Sequence, residues 1–529
     1  MATYVEPRPA VAVPQPQAGL LSRRWPLVGV LALQAVVSLA ILRNTAFQDE
    51  ALYLYAGRQI IHHWNGGPVP YDHYAFYFSG YPYAYPVIGG FLDMVGGLEL
   101  ARAFSLACML GVTAIVYWVT GKLFDRTAAL LASAAYACTG VVLFLGRLAT
   151  FDAMCLFLIA IATALAVHGG MSRRPWAVAA IGPVLVLAIL AKYAALLFVL
   201  PVLALLVCLG IPFVGWWRAL VRLFLALAGF ALSLDVAYKV IDKAAFHAIS
   251  GSTTNRQVIL TTSRVSLFTH VLHMSGLIYL LALLGALLAL KLQWRFRVLA
   301  VVLLGSSALA PAYHIYVQET ISLDKHIAYA MFFAMPLVGY ALAWLSGYER
   351  QSLFGLYRGY WLAGLAVILA IFALGLGQAR TLYTWADTSE LSTALHTQLR
   401  LGTGRALAED IEVARFDTTD VTDPWQWSGV RFDYYVDAAH HQYLGDPAIA
   451  HAIKDRYYDL IELSFVYLPA EANFTAAQMA ATRNYDLIAE ILFTNSFGKG
   501  HFYLFRLALS PGHGNFTNLK QLTPTYWGT

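Results

Sequence analysis

The sequence has little charge and only four cysteines. Charged side chains make up 12% of its 529 residues, about half the share of an ordinary soluble domain, so a conventional soluble fold is excluded. Cys108, Cys138, Cys155 and Cys208 all fall in apolar blocks, which leaves the polar C-terminal segment with none. No disulfide staples that segment, and no zinc-type cysteine spacing exists. A phosphate loop, a dinucleotide fingerprint and a repeat of fixed period are also missing. No basic stripe is interleaved with aromatics, so nucleic acid is not an expected partner.

What the chain does contain is apolar residues, 59% of the total, in blocks long enough to cross a hydrocarbon core about 30 Å thick. The blocks are Trp25–Leu42, Ala101–Leu123, Thr127–Gly146, Ala153–His168, Trp176–Leu190, Tyr193–Leu209, Ala219–Tyr238, Ser266–Leu290, Val298–Val317, Ile327–Leu345 and Tyr360–Gly377. They predict about 11 transmembrane helices. The first resembles a signal peptide in outline, with Ser38-Leu39-Ala40 as a weak cleavage site, but its length favours an uncleaved anchor.

Short basic connectors set the orientation. With the N-terminus in the cytoplasm, Lys122 and Arg126, Arg173 and Arg174, Arg218, Lys291 with Arg295 and Arg297, and Arg350 with Arg358 all face inward. An odd helix number then puts the tail outside, in a multi-pass protein of the cell membrane. The expected organisation is a disordered cytoplasmic segment 1–21, a helix bundle 22–377 and an extracytoplasmic domain 378–529. The bundle carries a large first outer loop, 43–100, whose Tyr71–Tyr85 stretch suits the membrane interface. In the tail, Tyr458–Leu468, Tyr485–Phe493 and His501–Leu509 read as strands. Pro447–Arg456 and Thr475–Asn484 read as helices, the second with Thr475 as N-cap. The fold class is thus mainly α, a polytopic membrane bundle with a small exported α/β domain.

Two outer helix ends carry acids. Asp49 and Glu50 follow the first span, and Asp152 closes Arg147-Leu148-Ala149-Thr150-Phe151-Asp152. Acids on one membrane face and on neighbouring outer loops are able to converge on one water-accessible cavity. Alone, Asp49 and Glu50 also fit an ordinary solvated flank. His270 and His273 share a helix face at i, i+3, where structural histidines are commoner than metal ligands. Asn473-Phe474-Thr475 and Asn515-Phe516-Thr517 fit the glycosylation sequon.

The string Asp49-Glu50-Ala51-Leu52-Tyr53, followed by Arg58, resembles the first acidic motif of GT-C glycosyltransferases. The narrower resemblance is to the protein O-mannosyltransferase and lipid A aminoarabinose transferase group. It continues through Ala101-Arg102, Asp152 and Leu190-Ala191-Lys192-Tyr193, and covers the bundle to about Leu345. It implies a GT-C-like bundle and an enzyme that moves a pentose or hexose from a polyprenyl-phosphate carrier. The acceptor would be an extracytoplasmic lipid, glycan or protein, and the displacement inverting.

By motif match the resemblance makes Asp49 the base and Asp152 a second catalytic group, with Glu50, Tyr53, Arg58, Lys192, Lys325 and His326 at the substrate. Such roles are chemically reasonable. An attacking hydroxyl must lose its proton to a group within hydrogen-bond reach. A departing lipid phosphate is stabilised by fixed cations in a low dielectric. Lys192 is the first candidate cation, Arg58 the second, Lys325 and His326 the third. The plainer readings are a Lys192 that snorkels to the interface and an Arg58 that pairs with Glu50 or Asp49. The chain departs from aminoarabinose transferases at Tyr81-Pro82-Tyr83-Ala84-Tyr85-Pro86, where those enzymes carry a lysine beside prolines. It shows Lys325-His326 where relatives often have Arg-Tyr. No cofactor is fixed by the sequence, and a divalent metal stays open.

The alternative is a transporter or flippase of lipid-linked sugars. Transporters tend to show repeats and midplane charges, whereas the charges here lie toward one face. A third reading, a scaffold with an exported binding domain, leaves the clustered acids without a use.

Overall fold

The computed structural model describes residues 25–41, 43–172, 176–241, 261–347, 360–400, 404–431, 434–496 and 498–523, with a few isolated positions besides. The segment 1–21 and the basic residues Arg173, Arg174, Arg350 and Arg358 lie outside the described residues.

The chain begins with α1 (Trp25–Ile41), α2 (Gln48–Trp64), α3 (Tyr85–Leu123), α4 (Arg126–Ala137), α5 (Gly140–Leu145), α6 (Phe151–Met171) and α7 (Trp176–Ala179). It continues with α8 (Ile181–Ala191), α9 (Val199–Val214), α10 (Trp216–Val240), α11 (Arg264–Ala289), α12 (Trp294–Val317), α13 (Leu323–Leu345) and α14 (Tyr360–Leu382). Among the described residues eight helices are long and apolar enough to span a membrane, and Trp25–Ile41 and Ala177–Ala191 are shorter apolar helices. The remaining expected span, Thr127–Gly146, breaks into α4 and α5. Thr139 adopts extended backbone there, and Gly375 of α14 lies so close that a Cβ would meet the Cys138 carbonyl oxygen at 2.0 Å. Helix α1 belongs to the bundle: Thr113 of α3 donates a buried hydrogen bond to Gln34 at 2.7 Å.

The first outer loop is more ordered than its composition predicts. It holds all of α2 and the start of α3, which kinks at Gly96 and Gly97, the latter at φ 68°. The expected span from Ala101 is the part of α3 beyond that kink. Helices α2 and α3 meet backbone to backbone: a Cβ on Gly57 would stand 1.8 Å from the Pro86 carbonyl oxygen. Close approach through small residues is how helices without a hydrophobic driving force associate. The tyrosine stretch divides between core and surface. Tyr74, Phe78 and Tyr85 are buried with Tyr53 and Phe151, while Tyr71, Phe76, Tyr77 and Tyr83 stay exposed.

At the centre stands α13, buried from Leu323 through Ala343 except at Asp324, packed against α4, α11 and α12. Gly285 of α11 allows this, since a Cβ there would lie 2.1 Å from the Leu337 carbonyl oxygen.

The tail is an α/β domain. Strands β1 (Ala406–Ala408), β2 (Trp427–Gly429), β5 (Leu460–Leu463), β6 (Tyr485–Asn495), β7 (Gly498–Leu507) and β8 (Tyr526–Trp527) form one sheet, with β3 (Tyr434–Val436) and β4 (Gln442–Leu444) a separate hairpin. The order is β2-β1-β5-β7-β6 with β8 on β7. Strands β2, β1 and β5 run parallel, β7 antiparallel to β5 and β6. Helices α15 (Ser389–Arg400), α16 (Ile411–Asp417), α17 (Asp446–Lys454) and α18 (Pro469–Thr482) complete it. Helix α18 starts at Pro469, so Thr475 lies inside it and bonds the Glu471 carbonyl instead of capping.

The strand expected over Tyr458–Leu468 stops at Leu463. The following chain wraps the buried carboxylate of Glu409, which accepts the backbone N–H groups of Ser464, Phe465, Val466, Tyr467 and Leu468 at 2.6–3.0 Å. Five donors satisfy an acid that burial would otherwise penalise heavily.

Candidate active site

Four helix ends meet at one end of the bundle. Asp49 lies in the first turn of α2, Asp152 in the first turn of α6 and Lys325 near the start of α13; Lys192 is the residue that ends α8. Carboxylates in a first turn are favoured by the helix dipole. The turn before α13 places both Gln318 and Ser322 in the left-handed region, at φ 61° and 63°, where side-chain-bearing residues are uncommon.

These ends bring the four charges into one line. Lys192 Nζ lies 2.5 Å from Asp152 Oδ1, with side chains 2% and 0% exposed. The Asp152 Oδ2 atom is 3.7 Å from Lys325 Nζ, and Lys325 bonds directly to Asp49. Thr150 donates to Asp152 at 3.2 Å. Tyr329 donates to the Asp152 backbone carbonyl at 2.9 Å and lies 3.4 Å from its carboxylate. Lys192 also stands over the Phe151 ring and Lys325 over Phe47. Asp152 is thus fixed from every direction, whereas the Asp49 side chain keeps 30% exposure.

The other residues marked by the sequence sit differently. Glu50 is fully buried and saturated by Arg102, at 2.7 and 2.9 Å, and by the backbone N–H groups of Ala149 and Phe47. It braces the site and has no oxygen to spare for substrate. Tyr53 is enclosed between Phe78 and Phe151. Arg58 lies nine residues beyond Asp49, about 13 Å along the helix axis. It pairs with Asp93 at 2.5 Å, neither Glu50 nor Asp49, and covers Phe416 of the tail. His326 bonds His314 at 2.8 Å, and His314 bonds the Glu319 carbonyl. His270 pairs with Asp324 at 2.7 Å. Among the described residues no group of three or more His, Cys, Asp or Glu is placed to hold a metal ion.

Two cavities flank Phe47 and Thr384. The one on the bundle side holds about 500 Å³ and is lined by Lys325, Asp324, Ser322, His270 and His273. The one on the tail side holds about 190 Å³, between Gln48, Trp385, Tyr467 and the carboxyls of Asp410, Asp417 and Glu462. The tail is clamped on α2 by α16. Arg415 pairs with Asp72 at 2.7 Å, Gln48 bonds Glu412 at 3.3 Å, and Trp385 donates to the Thr45 carbonyl at 2.9 Å.

Burial pushes the Asp417 carboxyl up to about 6. Burial and the neighbouring Glu409 charge push Glu462 up to about 8. An unfolded glutamate loses its proton near pH 4.3, so between that pH and about 8 the folded state binds more protons. Stability of the tail therefore falls as pH rises through this window. Protease resistance of the tail in the full-length protein is expected to decline from pH 5 to pH 8, and Glu462→Gln to flatten the decline. An unchanged slope in the variant would remove Glu462 as its source.

Sequence reasoning marked no role for Tyr329, Thr150, Phe47 or Arg102. Tyr329 was within reach, because it stands four residues after Lys325 on the same helix face. Phe47 carried no signal, since its place between two cavities depends on the tail.

Comparison with known proteins bears on the fold. The family model of dolichyl-phosphate-mannose-protein mannosyltransferase matches residues 83–241. ArnT from Cupriavidus metallidurans superposes with a TM-score of 0.57 at 15% identity, over 92% of this chain and 98% of that one. The same protein bound to undecaprenyl phosphate gives 0.57 and 15%, over 92% and 99%. The apo oligosaccharyltransferase of Archaeoglobus fulgidus gives 0.54 at 13%, over 90% of this chain and 75% of that one. No curated protein sequence matches the chain. The chain has the GT-C glycosyltransferase fold.

Proposed function

We propose that the chain is a membrane glycosyltransferase that moves a sugar from a polyprenyl-phosphate carrier to an acceptor on the side of the membrane where the tail lies. One observation carries the reading: Asp49 and Asp152 share Lys325 at one end of the bundle, and Lys325 lines the bundle-side cavity. The bundle-side cavity, with its lysine, suits the donor phosphate. The tail-side cavity suits the acceptor. The likeness to an ArnT that binds undecaprenyl phosphate supports the carrier class.

The reaction is a single inverting displacement. The acceptor oxygen attacks the anomeric carbon, a new C–O bond forms, and the bond from that carbon to the phosphate oxygen breaks with its electron pair staying on the phosphate. Asp49 takes the acceptor proton, and Lys325 offsets the charge that grows on the leaving group. Asp152, itself held by Lys192, tethers Lys325. The N-terminus faces the cytoplasm and the tail lies outside. A cysteine replacing Ser510, beside the fully exposed Leu509, should react with an impermeant maleimide on intact cells. Labelling only after lysis would reverse the orientation.

The deciding assay is transfer from labelled polyprenyl-phosphate hexoses and pentoses in membranes containing the full-length protein. Transfer from at least one donor establishes the class. No transfer from any donor, with native lipid and protein acceptors present, would sink it and bring the transporter reading forward.

A further inference from the structure

The resting arrangement poses a problem for the chemistry. Asp49, the proposed base, is paired with Lys325, so the carboxylate oxygen that would meet an acceptor hydroxyl is already engaged by an ammonium group. A base must be freed before it works. The same lysine lines the 500 Å³ cavity assigned to the donor. Lys192, the first choice from sequence, is 2% exposed and held at 2.5 Å by Asp152 over the Phe151 ring. It has no path to a phosphate without breaking a buried pair.

We infer that Lys325 is a partner-exchanging lock: it holds Asp49 in the empty enzyme and releases it by moving to the donor phosphate. The inference rests on the function proposed above and deepens it. Two acids and two lysines form the cluster, so it is balanced in charge before substrate arrives. A lipid phosphate adds negative charge on the cavity side and draws the one lysine that faces it. The Asp152 carboxylate, 3.7 Å from Lys325 Nζ, keeps that lysine tethered in either position, while Lys192 keeps Asp152 from being left as a buried unpaired charge. Asp49 then meets the acceptor without its counter-ion, and proton abstraction becomes possible only when a donor is in place. The arrangement ties the availability of the base to donor occupancy.

Undecaprenyl phosphate serves as the probe, because it carries the phosphate without the unidentified sugar. In full-length protein in nanodiscs, Asp49 modification by a carbodiimide, read by peptide mass spectrometry, should rise several-fold when the lipid saturates the site. Lys325→Met should bind the lipid roughly ten- to a hundred-fold more weakly, the loss of one charged contact. Its Asp49 should be modified rapidly with or without lipid, and Lys325→Arg should restore the lipid-dependent rise. An Asp49 modification rate in the wild type that stays level or falls on lipid binding overturns the exchange, whatever the variants do. Equal affinity of Lys325→Met and wild type overturns it as well. If the wild type fails to bind undecaprenyl phosphate at all, the polyprenyl-phosphate reading falls first and takes this inference with it.

Discussion

Asp49→Asn is expected to lower sugar transfer roughly 10²–10⁴-fold, the usual loss when a general base is removed, with little change in the amount of folded protein. The amide preserves size and nearly preserves shape, and the Asp49 side chain is 30% exposed, so no buried charge is orphaned except where Lys325 turns to Asp152. The donor KM should move less than kcat, because Asp49 acts on the acceptor proton. Transfer rates from a labelled polyprenyl-phosphate donor, at matched levels of membrane-inserted protein, check this. Equal rates in variant and wild type would take Asp49 out of the chemistry and leave Asp152 as the group to test.

Arg102→Met is expected to act on the fold instead. Arg102 is wholly buried and bonds Glu50 through two nitrogens, the Asn44 and Thr45 carbonyls, and Glu99 at 3.3 Å. Removing it leaves the Glu50 carboxylate buried without its counter-charge, which costs about 3–5 kcal/mol. The thermal midpoint of the full-length protein in detergent should drop clearly, and activity should fall in step with the folded fraction. A midpoint equal to that of the wild type would show that Glu50 is not held by this arginine. The two predictions separate neighbours: Asp49 and Glu50 differ by one position, so α2 turns them to different sides, one toward Lys325 with part of its side chain exposed and one into the bundle.

That separation is the clearest case of what the linear string leaves undecided. The motif Asp49-Glu50 announces acids at a helix start, and the membrane-side argument brings Asp152 to the same face. Which acid keeps some exposure and which is wholly buried depends on α3 delivering Arg102, through a kink at Gly96 and Gly97 that hydropathy does not register. Lys192 is paired with Asp152 and buried for a similar reason. Its position after an apolar helix is legible, but its burial against Asp152 requires α6 and α8 to pack side by side. Arg58 turned to Asp93 and Phe416 because α2 and α3 approach closely at Gly57 and because the tail folds back onto α2.

The sequence by itself determined the membrane bundle, most of its spans, the α/β character of the tail and the placing of Asp49 and Asp152 at one end of the bundle. Hydrophobic length and charge placement are local properties, and a hydrocarbon core reads them without help from tertiary contacts. Tertiary structure alone decided which charges pair, which stay open to a cavity, that Phe47 and Thr384 divide two cavities, and that a buried Glu409 shapes the tail. Each of these depends on distances between helix ends far apart in the chain, and a low dielectric makes the outcome steep: a charge that finds its partner is locked, and one that faces a cavity is left to act.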